Sequence, residues 1–305
     1  MTVRFAATLP PAMGYAIAIQ RADFRRLLDR HSRMLVGGDL GLLLEGQIGP
    51  EARSRLVRDF FRHKSCKMLD SAYISKDPQT FLKLVSVAGR ENIDGALARG
   101  KGAVLCTVHL NSTNCLALLT ALGFPVTAIS RWSFKTERSR RFRFIPRPVS
   151  RQYGFARLVR QNIETSREIR NRPLSVAVQA AAVLRENGLV FIAVDAGIKD
   201  PVRAVHADFL GGRATIMPGA VVISRLGGAP LLVTLLHRSR DWRHQRLEIS
   251  QPVDPKGDEA EVTQRCLNFF DAAIRREPSQ WDFWGTEELR SELGLIAEDG
   301  PRRRA

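Results

Sequence analysis

The chain has 305 residues, of which 44% are hydrophobic and 26% charged, and it carries a formal net charge of +16. This apolar content excludes disorder over most of the chain, and the length allows one large domain or two small ones. The four cysteines form no C-x-x-C pair and the histidines no H-x-x-x-H pair, so we expect no disulfide scaffold, no metal site and no cofactor. The cysteine usage indicates a reducing compartment, the bacterial cytoplasm.

The N-terminal segment 5–19 is almost uncharged, but it is short and contains Pro10 and Pro11. No stretch of the chain reaches the ~20 consecutive apolar residues of a transmembrane helix, and no secretory signal is indicated. Two interpretations stay open for segment 5–19. It packs on the domain, or it lies in a membrane interface.

Helical periodicity dominates residues 21–97. Within 51–72, large apolar residues recur at three- and four-residue spacing, which places them on one face of a helix, and residues 79–97 show a similar pattern. The sequence therefore predicts an N-terminal helical region over residues 1–97.

After Gly100 and Gly102 the pattern changes to short apolar runs that alternate with helical stretches. The predicted strands are 103–108, 126–130, 189–194 and 231–236. The predicted helices are 112–122, 153–170, 175–187, 217–227 and 259–276. Continuous apolar runs suit strands that are buried on both faces, so the sequence predicts an α/β domain over 98–290 with helices flanking a sheet. Residues 291–305 are predicted to form a C-terminal tail.

The positive charge is concentrated in residues 131–172, which we call the basic segment. It holds thirteen lysines or arginines and three glutamates, and aromatic residues lie between the cations. Such a surface attracts polyanions: a nucleic acid, an anionic lipid surface or an acidic carrier protein. A solvated basic face with no partner is the remaining alternative.

His109 directly follows the apolar run 103–108 and precedes a helix that opens with Asn111, Ser112 and Thr113. The carboxyl edge of an α/β sheet is where such folds place their ligands, and a helix N-terminus favours negative charge. A titratable base is thus predicted beside a site for an anion. A dinucleotide motif is not indicated, because Gly100 and Gly102 precede their strand instead of following it.

Four blocks in succession resemble the lysophospholipid acyltransferase superfamily: GKGAVLCTVHLNSTN, a second strand ending in Arg131, LRENGLVFIAVD, and ADFLGGRATIMPGAVVISRLGGAPLLVTLL. The similarity covers residues 30–285, including the closing stretch Pro278–Gln280–Trp281, and the bacterial lipid A biosynthesis (late) acyltransferases are the nearest branch. The resemblance implies a glycerolipid acyltransferase-like fold with a mixed central sheet.

The resemblance also implies a reaction, the transfer of a fatty acyl group from acyl carrier protein or acyl-CoA to a hydroxyl of a lipid or glycolipid. His109 would be the general base, and Arg131 would hold a phosphate or the thioester end of the donor. Gly211, Gly212 and Arg213 match the glycine-rich stretch of the family, which implies a role in substrate binding.

The chain departs from the family at position 114, where Asn114 replaces the Asp or Glu of the His-x4-Asp/Glu pattern. Three hypotheses follow. Asp195, at the end of the predicted strand 189–194 and so at the same sheet edge, supplies the carboxylate. Alternatively, Asn114 is sufficient as the partner of His109, or the protein binds lipid without transferring acyl groups.

The N-terminal membrane helix of the lipid A branch is also missing. We therefore expect a peripheral protein at the cytoplasmic face of the bacterial inner membrane, held on its anionic surface by segment 5–19 and the basic segment. No helix-turn-helix, RNA-binding or zinc motif accompanies the charge, so a nucleic-acid partner is not expected.

Overall fold

The computed structural model describes residues 3–129, 173–195, 201–286, 289 and 293–296. The basic segment 131–172, with Arg131 and the helix predicted at 153–170, lies outside these residues.

Helices make up most of the N-terminal third and flank the strands that follow. The N-terminal helices are α1 (Val3–Ala6), α2 (Pro11–Leu28), α3 (Arg30–Leu43), α4 (Pro50–Lys76), α5 (Pro78–Leu82) and α6 (Arg90–Ala98). The later helices are α7 (Ser112–Ala121), α8 (Pro173–Arg185), α9 (Gly219–Gly227) and α10 (Glu259–Arg276). In the described part of the chain, no helix is both long and apolar enough to cross a bilayer.

The strands form one mixed sheet and one separate hairpin. They are β1 (Val85–Ala88), β2 (Ala103–Thr107), β3 (Val126–Ala128), β4 (Leu189–Ala193), β5 (Val205–Phe209), β6 (Gly212–Ile216), β7 (Leu231–Arg238) and β8 (Gln245–Ile249). The six-stranded sheet has the order β1-β8-β7-β2-β4-β3, and β5 and β6 form the hairpin. Strands β7, β2, β4 and β3 are parallel to one another, whereas β8 is antiparallel to β7 and parallel to β1.

Strand β2 shows why the continuous apolar runs form the centre of the sheet. All five of its residues are buried, and successive side chains point to opposite faces. Val104 and Cys106 join a core that contains α8, α9 and α10, while Ala103 and Leu105 join a core that contains α2, α4 and α7. Helices therefore cover both faces of the sheet, as the sequence predicted.

The α/β class, the mixed sheet flanked by helices and the N-terminal helical region are confirmed, but three details of the prediction are wrong. Residues 79–97 are not helical throughout, because β1 lies within them. Strand β8 and the hairpin β5–β6 were not predicted. The four-residue β1 pairs on one side only and is partly exposed, so it lacks the continuous apolar run that marks a central strand.

Candidate active site

His109 and Asp195 meet at the carboxyl edge of the sheet. His109 lies two residues beyond the end of β2 and Asp195 two residues beyond the end of β4. These strands are parallel neighbours, and their hydrogen bonding continues one residue past the end of β4, where the Val194 N–H donates to the Thr107 carbonyl at 2.9 Å. The sheet therefore delivers the two side chains to the same place.

The carboxylate of Asp195 is fixed by three hydrogen bonds. Its Oδ1 lies 2.7 Å from Nδ1 of His109, while its Oδ2 accepts from the His109 backbone N–H at 2.8 Å and from Nε1 of Trp281 at 3.0 Å. The carboxylate is fully buried, whereas the imidazole is 32% exposed. Because Nδ1 is held by the carboxylate, Nε2 is the ring nitrogen left to exchange a proton with a substrate.

Residues 281–283 hold the histidine from the other side. Leu110 and Trp281 form an isolated antiparallel bridge, and the Asp282 N–H donates to the His109 carbonyl at 3.0 Å. The ring of Phe283 stacks on the imidazole with centroids 4.6 Å apart. Our sequence interpretation gave Trp281 only as part of a matching stretch and missed Asp282 and Phe283, since nothing in their local pattern points to a residue far away in the chain.

The electrostatics of the pair favour the protonated imidazole. Burial of the ring acts to lower the pKa of His109, but the charge of Asp195 and its hydrogen bond outweigh burial, so the pKa lies above the ordinary histidine value. A base that holds its proton more tightly is also a better proton acceptor during a reaction.

Asn114 does not share the site with His109, although both flank the start of α7. Its Oδ1 accepts from Oγ of Ser71 at 2.8 Å, and its Nδ2 donates to the Lys67 carbonyl at 3.1 Å and to Oδ2 of Asp70 at 3.4 Å. The structure thus brings Asp195 to the ring of His109, while the described bonds of Asn114 are to α4. The amide joins α7 to α4.

These contacts of Asn114 belong to a buried polar network behind the site. Asp70 accepts from Tyr15 Oη at 2.6 Å and from Nη2 of Arg238, and the side chains of Asp70 and Arg238 are at most 1% exposed. Burial acts against the charge of Arg238, yet the neighbouring Asp70 raises the pKa of the guanidinium above its ordinary value. The network ties α2 and α4 to the end of β7.

Replacing Asn114 by Asp is expected to lower the free energy of unfolding by about 2–3 kcal/mol, because the variant loses two donated hydrogen bonds and places a second carboxylate beside Asp70. Chemical denaturation of the variant against the wild type measures this change. Asn187→Asp is the matched control, since Asn187 accepts from the Gly102 N–H and donates to the Leu97 carbonyl of α6, with no carboxylate among these partners. A more stable Asn114→Asp variant would contradict the structural role.

The glycine-rich stretch forms the turn of the β5–β6 hairpin. Leu210 and Gly211 both have positive φ, 52° and 83°, which is the backbone of a tight two-residue turn. A side chain at Gly212 would meet Leu295, and Arg213 is exposed on β6. The hairpin contacts the site through Phe209, whose ring lies edge-on to Trp281 with centroids 5.8 Å apart. No described contact joins Gly211, Gly212 or Arg213 to His109.

Two lysines of α4 add positive charge beside the histidine. Lys64 lies 2.9 Å from Oδ1 of Asp282, and Lys67 binds Oδ2 of the same carboxylate. Burial of Asp282 acts to raise its pKa, but the two ammonium groups hold the pKa well below its ordinary value. One acid is thus shared by two lysines of α4 in the residue that follows Trp281. The spacing of the lysines on one helix face was the signal that sequence reasoning overlooked.

No protein-family model matches the sequence, and the comparison with curated proteins found no match. The choice of a reaction therefore depends on the geometry of the His109–Asp195 pair and on the motifs in the sequence.

Proposed function

We propose that the chain is an acyltransferase of the lysophospholipid acyltransferase class, nearest to the lipid A branch and with its glycerolipid acyltransferase-like fold. It moves a fatty acyl group from an acyl thioester to a hydroxyl of a lipid or glycolipid. The observation that supports this most strongly is the hydrogen-bonded pair of His109 and buried Asp195 at the sheet edge, directly before the start of α7.

The pair suits attack by a hydroxyl on a thioester. Nε2 of His109 takes the hydroxyl proton as the oxygen bonds to the carbonyl carbon, and the imidazolium is stabilised by Asp195 through Nδ1–H. The carbon–sulfur bond then breaks, and His109 returns the proton to the departing thiolate. The products are an ester and a free thiol.

Negative charge develops on the carbonyl oxygen during this step. The first N–H groups of α7 have no acceptor within the helix, and the positive end of the helix dipole lies at this same N-terminus. Asn111, just before α7, has φ 59° and uses its side chain to bind Gln245 at 3.0 Å, so it does not cap the helix. The helix start therefore suits an oxyanion.

The donor is acyl carrier protein or acyl-CoA, and the acceptor lies in an anionic membrane surface at the cytoplasmic face of the inner membrane. The basic segment, with Arg131, suits an acidic carrier or lipid phosphates. Arg213 and the turn at Gly211 and Gly212 remain candidates for substrate contacts. The alternative is a lipid-binding protein that transfers no acyl group, which Asn114 favours, whereas the hydrogen bond between His109 and Asp195 favours the acyltransferase.

Thiol release tests the proposed reaction. The purified protein is expected to liberate free thiol from a long-chain acyl-CoA or acyl carrier protein thioester when bacterial lipid extract is present, and His109→Ala is expected to abolish the release. His244→Ala is the matched control, because His244 also pairs with an aspartate, Asp241, but lies in an exposed turn. Equal release by the wild type and His109→Ala would overturn the proposal.

Thiol release is also expected to depend on pH in a defined direction. The neutral form of His109 is the base, so the rate rises as pH increases through the raised pKa of this residue, with a midpoint above 6.5. In Asp195→Asn the charge that raises the pKa is gone, and the midpoint moves to lower pH. The dependence of kcat/KM on pH measures both midpoints. A midpoint unchanged by Asp195→Asn would contradict the assigned electrostatics.

A further inference from the structure

The outer face of α2 carries large apolar side chains that no helix covers in the described part of the chain. Phe24, Leu27 and Leu28 are 64%, 59% and 70% exposed. Their spacing of three and four residues places them side by side on one face of the helix. The opposite face packs on α4 through small or aromatic residues, namely Gly14, Tyr15, Ala18 and Ala22. The helix therefore presents one apolar face to the core and a second one outward.

Helix α3, which begins two residues after the end of α2, carries further exposed apolar side chains. Met34 and Leu42 are 62% and 52% exposed, and their separation of eight residues keeps them on one side of α3. Soluble monomers seldom leave several large apolar side chains together in water, so a partner for this surface is expected.

Cations lie among these side chains. Arg21, Arg25 and Arg30 are exposed beside the apolar residues. Residues 21–30 hold four arginines against two acids: Asp23 binds Arg62 at 2.6 Å, and Asp29 accepts from the Ser32 N–H and lies 3.9 Å from Arg25. The outward charge of the stretch is therefore positive.

We propose that this surface, the docking face (Arg21, Phe24, Leu27, Leu28, Arg30 and Met34), binds an anionic lipid bilayer. The apolar side chains enter the boundary between headgroups and acyl chains, and the arginines bind lipid phosphates. The interleaving of cations with apolar side chains complements a bilayer, whereas a second copy of this chain would present the same positive charge and be repelled. The proposal rests on the proposed function only in that the acceptor is a membrane lipid.

Helix α3 connects the docking face to the active site. Oδ2 of Asp39, on α3, accepts from the Gly285 N–H at 2.6 Å, and a side chain at Gly285 would collide with Val36. Gly285 follows closely on Phe283, which stacks on the ring of His109. A bilayer bound to α2 and α3 is thus attached to the helix that supports the loop over the catalytic ring.

Cosedimentation with vesicles tests the docking face without any acyl donor. Wild-type protein is expected to bind vesicles of phosphatidylcholine with phosphatidylglycerol, and to bind pure phosphatidylcholine weakly. The triple variant Phe24→Ser, Leu27→Ser, Leu28→Ser is expected to lose about tenfold in partitioning. The double variant Arg21→Glu, Arg30→Glu is expected to lose about a hundredfold.

A matched control removes exposed apolar residues from other helices, with Val178→Ser, Leu226→Ser and Phe269→Ser, which are 58%, 55% and 47% exposed. This control and His109→Ala are expected to bind vesicles like the wild type, so a failure of catalysis stays distinguishable from a failure of docking. Unchanged binding by both docking-face variants would overturn the proposal and assign membrane contact to other residues. Loss of a wild-type dimer in the serine triple variant, seen by light scattering with vesicle binding intact, would overturn it in favour of self-association.

Discussion

Asp195→Asn is expected to lower the turnover of acyl transfer by a factor on the order of 10⁴, the loss that a triad carboxylate-to-amide change produces in other enzymes. The amide keeps the size of the side chain but loses its charge. It can then no longer stabilise the imidazolium of His109, and it offers an N–H to groups that require an acceptor. The His109 backbone N–H and Trp281 Nε1 donate to Oδ2, and His109 Nδ1 faces Oδ1. Whichever oxygen the amide nitrogen replaces, a donor at that position loses its acceptor.

Thiol release under saturating donor measures this loss, and circular dichroism of the variant shows whether the fold is retained. Asp241→Asn is the matched control, since it removes the carboxylate of the exposed His244 pair and is expected to leave turnover unchanged. If Asp195→Asn kept more than about a tenth of the wild-type turnover, Asp195 would not be the charge partner of the base.

Arg238→Met is expected to lower the free energy of unfolding by about 3–5 kcal/mol, the loss typical of breaking a buried ion pair from one side. Met fills much of the same volume, so the effect isolates the charge. Asp70 would remain buried with hydrogen bonds from Tyr15 and Asn114 but without its cation.

Urea denaturation measures the effect of Arg238→Met. Arg90→Met serves as control, since Arg90 and Asp94 form an exposed pair, and its loss is expected to stay within about 1 kcal/mol. Adding Asp70→Asn to Arg238→Met is expected to restore part of the stability, because no buried charge is then left. A double variant less stable than the single one would contradict this account of the network.

The central strands could be predicted from the sequence because burial on both faces requires a continuous apolar run. The run 103–108 is apolar at every position except one threonine, and β2 occupies most of it. Strands β1 and β8 have no such continuous apolar run. Alternate residues of β8 are exposed or half-buried, and β1 pairs on one side only. Their place in the sheet follows from long-range pairing, which local periodicity does not encode.

The candidate site, too, could be predicted only in part. Asp195 was a reasonable candidate because parallel strands end at one edge, and the structure places it against His109. The spacing from His109 makes Asn114 a candidate in the sequence, but its side chain donates to the Lys67 carbonyl of α4, a contact that local spacing does not reveal. Trp281 and Phe283 come from beyond α10, so only the tertiary fold brings them to the histidine.

The most direct test of the His109–Asp195 assignment is mass spectrometry of lipids after incubation with a thioester that carries an isotope-labelled acyl chain. We predict that wild-type protein transfers the label to a lipid as an ester, that His244→Ala does so equally, and that His109→Ala and Asp195→Asn leave the lipids unlabelled within the same time. An ester-linked label that forms at the wild-type rate in His109→Ala would contradict the assignment of this pair as the catalytic centre.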